Sequence, residues 1–186
     1  MDAILDGAAD VLRQHGLEGT STTRIAERAG VSIGSLYQYF PNKLAIYRAL
    51  GERFFGRIDA VAEAIFPALA SLPPREAIDT AVRGVISASF LDPALDRILH
   101  HVAISRADFE PVAGFEARQE ARLAALLRAR ARELPRPLVD PDLTARVLIR
   151  ALGGVVSSTC AREPSATSDI RLIDELIRLI EHHLGF

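Results

Sequence analysis

Apolar residues recur at helical spacing along nearly the whole chain, and no segment alternates with the period of two that marks a strand. Ile4, Leu5, Ala8, Val11 and Leu12 form an amphipathic stripe over Asp2–His15, ended by Gly16, with Leu17 plugging the junction that follows. Two short helical patterns then flank a tight corner. Ser21 is suited to cap the first, whose apolar stripe is Ile25, Ala26 and Ala29. Gly30 can take the left-handed conformation that ends a helix, Val31 plugs the corner, and Ser32 caps the second pattern. That second helix, Ile33 to Phe40, is stopped by Pro41, which disfavours a helical Phe40. Helix, glycine turn, short helix over residues 21–40 is the helix-turn-helix arrangement, whose second helix enters the DNA major groove.

Asn42 caps a long helix running from Lys43 toward Ala64 or beyond, with Pro67 ending or bending it. Phe54, Phe55, Ile58, Val61 and Phe66 make its later half too apolar for a solvated linker. Pro73 and Pro74 open a fifth helix, Arg75 to Phe90, carrying Ile78, Val82, Val85, Ile86 and Phe90. A sixth spans Pro93–Ser105, Phe109–Gly114 reads as a break, and a charged seventh spans Glu116–Glu133 with Leu123, Leu126 and Leu127 inward. After the loop PRPLVDP, Asp140 or Asp142 caps an eighth helix to about Arg162. After EPSATS, Ser168 or Asp169 begins a ninth that ends near Leu184. The expected fold is all-α, with about nine helices.

On the second helix of the corner, Leu36 and Phe40 are four apart and face inward, leaving Ile33, Gly34, Ser35, Tyr37, Gln38 and Tyr39 outside. Tyrosine hydroxyls suit phosphate oxygens, and the small Gly34 and Ser35 allow close approach to base edges. The stretch IAERAGVSIGSLYQYFPNK resembles the signature of the TetR/AcrR family of transcriptional regulators, over about Ile4 to Leu50. The resemblance implies that Thr22 and Thr23 contact DNA backbone and bases, that Ile33, Gly34 and Ser35 read bases, and that Tyr37, Tyr39 and Lys43 hold phosphates. Two positions depart from the family pattern. Arg24 stands where an acidic residue often closes a capping box, and Leu44 replaces the usual acidic residue after the lysine. The chain begins almost at its first helix, so the family's basic N-terminal arm is expected to be absent.

The expected organisation is a DNA-binding domain over 1–47 and an effector-binding and dimerisation domain over 48–186. The expected mechanism is a ligand-responsive regulator, a repressor released from its operator by a small molecule. A helical ligand-binding or scaffolding protein that has lost DNA binding is the alternative. The formal net charge of −2 speaks against nucleic acid, but Thr22 to Arg57 carries a local +4, outside which lie Asp2, Asp6 and Asp10. No apolar run is long enough to span a bilayer and no signal sequence is legible, so a cytoplasmic location and no membrane contact are expected.

The ninth helix carries Ile170, Leu172, Ile173, Leu176, Ile177, Leu179 and Ile180, an arc wider than one packing face needs. The eighth carries the small residues Ala151, Gly153, Gly154 and Ser157. Either these helices are buried in their own domain or they pair with a second copy, as the family resemblance also implies. The second reading places Gly153, Gly154, Ser157, Ile173, Leu176, Ile177 and Ile180 in a homodimer interface.

A ligand pocket among the mid-chain aromatics would draw on Phe54, Phe55, Ile58, Phe90 and Phe115, with polarity from His101, Gln119 and Ser157. The HisHis pairs cannot grip one metal from a single helix face, and Asp96 with His100 reads as a helix-surface charge pair. The lone Cys160 reads as an inert buried thiol. With no phosphate-cradling loop, nucleophile elbow or HExxH motif, neither an enzyme nor a cofactor or metal is expected. The expected partners are double-stranded DNA bearing a palindromic operator, an effector and a second copy of the chain.

Overall fold

Nine helices form where the apolar periodicity places them, among the residues described by the computed structural model (1–89, 92–106, 109–162 and 170–186). They are α1 Asp2–His15, α2 Thr22–Ala29, α3 Ile33–Tyr39, α4 Lys43–Leu69, α5 Pro74–Ser89, α6 Pro93–Ser105, α7 Glu110–Ala129, α8 Pro141–Arg162 and α9 Ile170–Leu184. The expected end of the fifth helix at Phe90, and the Ser168 or Asp169 start of the ninth, lie outside the described residues.

The ends of α4 and α7 depart from the sequence reading for identifiable reasons. α4 continues through Pro67 to Leu69, so the proline sits in the last turn, where only one backbone hydrogen bond is forfeited. α7 starts at Glu110, not Glu116, and ends at Ala129, not Glu133. The break expected over Phe109–Gly114 is instead the start of α7: Pro111 occupies its first turn, where its missing N–H would have had no intrahelical partner. Beyond Ala129 the chain turns, and the Arg130 guanidinium donates to the Leu69 carbonyl at 2.8 Å and to Glu133.

The chain divides into two compact units, residues 1–56 with 94–112, and residues 57–93 with 113–186. In the first unit α1 packs on α2 and α2 on α3. Gly7 makes the first contact close: a Cβ there would lie 3.1 Å from the Ala29 Cβ. Ile4, Leu12, Ile25, Leu36, Ile46, Leu50, Phe54, Phe55, Leu95 and Leu99 are almost wholly buried. In the second unit Val82, Ile86, Leu152, Val156, Leu176 and Ile177 form one cluster, and Ala124, Leu127, Ala145 and Leu184 another. A polar seam joins α4 to α7 there: Asp59 accepts from Gln119 Nε2 at 2.6 Å, from Arg122 at 2.6 Å and from Arg118, while Arg122 also reaches Glu63 at 2.9 Å.

Candidate nucleic-acid interface

Local rules build the α2–α3 corner. Ser21 is extended, and its hydroxyl accepts the Arg24 amide at 3.3 Å, satisfying one donor of the opening turn. Gly30 takes φ 68 and ψ 29, the left-handed conformation, while the Val31 amide returns to the Ala26 carbonyl at 3.0 Å. Ser32 then caps α3 by accepting the Ser35 amide at 3.0 Å. Phe40 is extended ahead of Pro41, which ends α3 after seven residues.

This corner turns one side of α3 inward and the other to solvent. Leu36 and Phe40 are buried, as are Ile25 and Ala26 of α2. Tyr37 and Tyr39 are 49% and 58% exposed, and Ile33, Gly34 and Gln38 share that exposed side, with Ser35 half-buried. Thr23 is exposed and Thr22 half-buried.

Several of these polar groups are already engaged. The Thr22 and Tyr37 hydroxyl oxygens lie 3.1 Å apart, and those of Ser32 and Ser35 lie 2.8 Å apart. The Lys43 ammonium donates to the Thr20 carbonyl at 3.1 Å and sits 5.8 Å from the Tyr47 ring centre. Tyr47 is itself buried. Burial pushes its phenol up to about 12, and the negative charge of Glu18 adds to the shift.

The local charge is smaller than the count over Thr22–Arg57 implies, because the α1 carboxylates return to it in space. Asp10 binds Arg28 at 2.6 Å and Arg13 at 2.8 Å, and Asp6 binds Arg53 at 2.8 Å. The close α1–α2 packing brings Asp10 and Arg28 together, a proximity that linear sequence does not display. The Arg28–Asp10 pair is substantially exposed, so it contributes at most about 1 kcal/mol and yields readily to a phosphate.

The residues read as a ligand pocket fall in both units. In the first, Phe54 and Phe55 meet edge to face with centroids 5.1 Å apart, and Phe55 meets the His100 ring at 5.6 Å. His101, the histidine named from sequence, is exposed instead. A helix turns about 100° per residue, so only one of two adjacent histidines can face the core. His100 takes that place, with Nδ1 3.0 Å from the Asp96 carbonyl and 3.4 Å from its carboxylate. The Asp96 carboxylate is buried, so this is not the helix-surface pair read from sequence. In the second unit Ile58 and Gln119 are buried and Phe115 is half-buried. Phe90 and the Ser157 and Cys160 side chains lie outside the described residues. Among the described residues no group of three histidines, cysteines or acids is placed to hold a metal ion.

On the face read as a dimer interface, Leu176 and Ile177 are each only 8% exposed within the single chain, among Val82, Ile86, Leu152 and Val156. Ile173 and Ile180 pack against the same cluster. Their burial is thus accounted for within one chain. The apolar side chains left in solvent are others: Leu143 and Val147 on α8 and Leu179 on α9. Ala151, Gly154 and Ser158 continue the α8 face, and a Cβ added at Gly153 or Gly154 would meet nothing within 4 Å.

Residues 4–50 match the family model described as bacterial regulatory proteins, tetR family, and residues 73–184 match that described as tetracyclin repressor-like, C-terminal domain. The chain belongs to the TetR family. This TetR-family chain is 27% identical over 177 residues to the HTH-type transcriptional repressor KstR of Mycobacterium tuberculosis, covering 95% of the chain and 78% of that protein. Over 48 residues it is 50% identical to the HTH-type transcriptional regulator RutR of Escherichia coli, covering 26% of the chain and 23% of that protein. The fatty acid degradation regulator FadR from Bacillus halodurans superposes with a TM-score of 0.76 at 22% identity, covering 99% of this chain and 97% of that one. FadR from Bacillus subtilis, solved in complex with stearoyl-CoA, gives 0.76 at 19% identity and 96% of each chain. These two superpositions show the fold. The chain is therefore a DNA-binding transcriptional regulator, and its named relatives are transcriptional regulators. TetR-family regulators bind DNA and ligands and form dimers. Among the described residues, no helix is long and apolar enough to cross a membrane.

Proposed function

We propose that this regulator binds a two-fold symmetric operator as a homodimer, through the solvent side of the α2–α3 corner, and releases it when a small effector binds. The observation that carries the reading is the exposure of Tyr37 and Tyr39 beside Ile33 on so short a helix, opposite the buried Leu36 and Phe40. In a helix packed only for stability those aromatics would face the core. Thr22, Thr23, Tyr37, Tyr39 and Lys43 are assigned to the phosphate backbone, and Ile33, Gly34, Ser35 and Gln38 to base edges.

Residues 1–47 are assigned to DNA, and 48–186 to effector and dimer. The dimer surface is assigned to α8 and α9 through Leu143, Val147, Gly154 and Leu179, the apolar and small positions that one chain leaves exposed. A dimer reading successive major grooves needs its recognition helices roughly 34–36 Å apart, so a few ångströms of displacement suffices for release.

A gel shift with the DNA immediately upstream of the chain's own coding sequence tests the reading. Retarded DNA that resists competition by unrelated duplex supports it; no retardation at low salt overturns it. Stearoyl-CoA, the ligand of the Bacillus subtilis neighbour, is the first compound to add to that assay.

A further inference from the structure

Thr22 is the first residue of α2 and Tyr37 lies on the outward side of α3, fifteen residues later, yet their hydroxyl oxygens are 3.1 Å apart. Two hydroxyls carry two protons between them, and one proton is engaged in this bond. The hydroxyl that accepts keeps its own proton free, and accepting polarises it toward being a stronger donor. Whichever of the two donates, the pair presents one free O–H to solvent.

The two partners differ in how firmly they are held. Thr22 is half-buried, and its backbone opens a helix already capped by Ser21. Tyr37 is exposed over about half its surface, and an exposed ring must be immobilised when it enters an interface. The Thr22 hydroxyl supplies a fixed point for the phenol before any partner arrives.

We infer that Thr22 and Tyr37 act as one DNA-contacting unit, in which Thr22 positions the phenol and the pair delivers a single O–H to one phosphate oxygen. This rests on the proposed use of the α2–α3 corner, and it replaces two independent contacts by one joint contact. Loss of either hydroxyl then removes the same contact.

The test is a double-mutant cycle of the full-length chain on the duplex upstream of its own coding sequence, with Thr22→Val, Tyr37→Phe and both together. Hydrogen bonds to charged groups set each single loss at roughly tenfold in affinity. The double variant is expected to lose no more than roughly tenfold, where independent contacts would multiply to roughly a hundredfold. Thr22→Ser restores the hydroxyl and with it near wild-type affinity. The salt dependence stays unchanged in every variant, because no charge is removed.

Multiplicative losses would overturn the pairing while leaving the DNA-binding reading intact. So would a Thr22→Ser chain as weak as Thr22→Val, which would mark a packing role for the side chain. A wild type that fails to retard the duplex at all would overturn the DNA-binding reading itself. Helical circular dichroism of each variant separates lost contacts from lost fold.

Discussion

Leu176 and Leu179 sit three apart on α9 and set up opposite expectations. Leu176 is buried among Val82, Ile86, Leu152 and Val156, so Leu176→Ala opens a cavity in the second unit. Truncations of this kind cost about 2–5 kcal/mol, a large part of the roughly 5–15 kcal/mol that holds a domain folded. For a chain of this size that corresponds to a melting temperature lower by roughly 4–20 °C. Leu179 is 58% exposed in the single chain, so Leu179→Glu should change its folding stability by no more than about 0.5 kcal/mol. In a subunit interface, however, the same carboxylate would be buried without a partner, at a cost that few interfaces tolerate. Thermal melts paired with sedimentation velocity distinguish the two outcomes. Leu176→Ala should melt early, whereas Leu179→Glu should keep its helical signal and sediment as a monomer at micromolar concentration. A Leu179→Glu chain that remains dimeric would refute the assignment of this face, and a Leu176→Ala chain that melts with wild type would refute the core.

Other expectations follow from single contacts. Gly51→Ala should destabilise by about 1–3 kcal/mol in denaturant titration, because its Cβ would lie 2.9 Å from Pro111 Cβ. Gly56→Ala, with nothing within 4 Å, should instead gain about 1 kcal/mol from helix propensity. The folded Tyr47 phenol titrates near 12, above its ordinary 10.0, so its contribution is complete below pH 10 and is lost as pH rises toward 12. Tyr47→Phe should therefore flatten the alkaline arm of a stability–pH curve, and an unchanged arm would count against this burial. Asp59→Ala should cost about 1–3 kcal/mol by leaving the buried Gln119 amide without its acceptor and Arg122 with Glu63 alone; Asp59→Asn should recover part of it in the same melt.

Much of the corner was legible in sequence because local chemistry dictates it. Ser21 and Ser32 cap, Gly30 turns left-handed and Pro41 stops α3, each for reasons contained within a few residues. α6 could be bounded at Pro93 and Ser105 for the same reason. What was not legible depends on partners remote in sequence. Pro111 looks like a breaker until its place in a first turn is known. The choice between His100 and His101 depends on which side of α6 faces Phe55. The wide apolar arc of α9 does not reveal that α5 and α8 of the same chain already cover Leu176 and Ile177. Phe55, read as an effector contact, packs against Phe54 and His100, so its truncation would report on folding before it reported on ligand.

Lys43 is the chain's single lysine beside 21 arginines, and its ammonium is tied to the Thr20 carbonyl at the foot of the α2–α3 corner. An amine-selective acylating reagent thus has one side-chain target in the whole sequence, and that target stands where DNA is expected to bind. The rate at which Lys43 acylates becomes a built-in footprint. The tie to Thr20 sets its resting value, and bound operator slows it. An effector that dislodges the DNA should bring the rate back, so occupancy can be followed by the mass of the peptide carrying Lys43, without tag, dye or engineered cysteine.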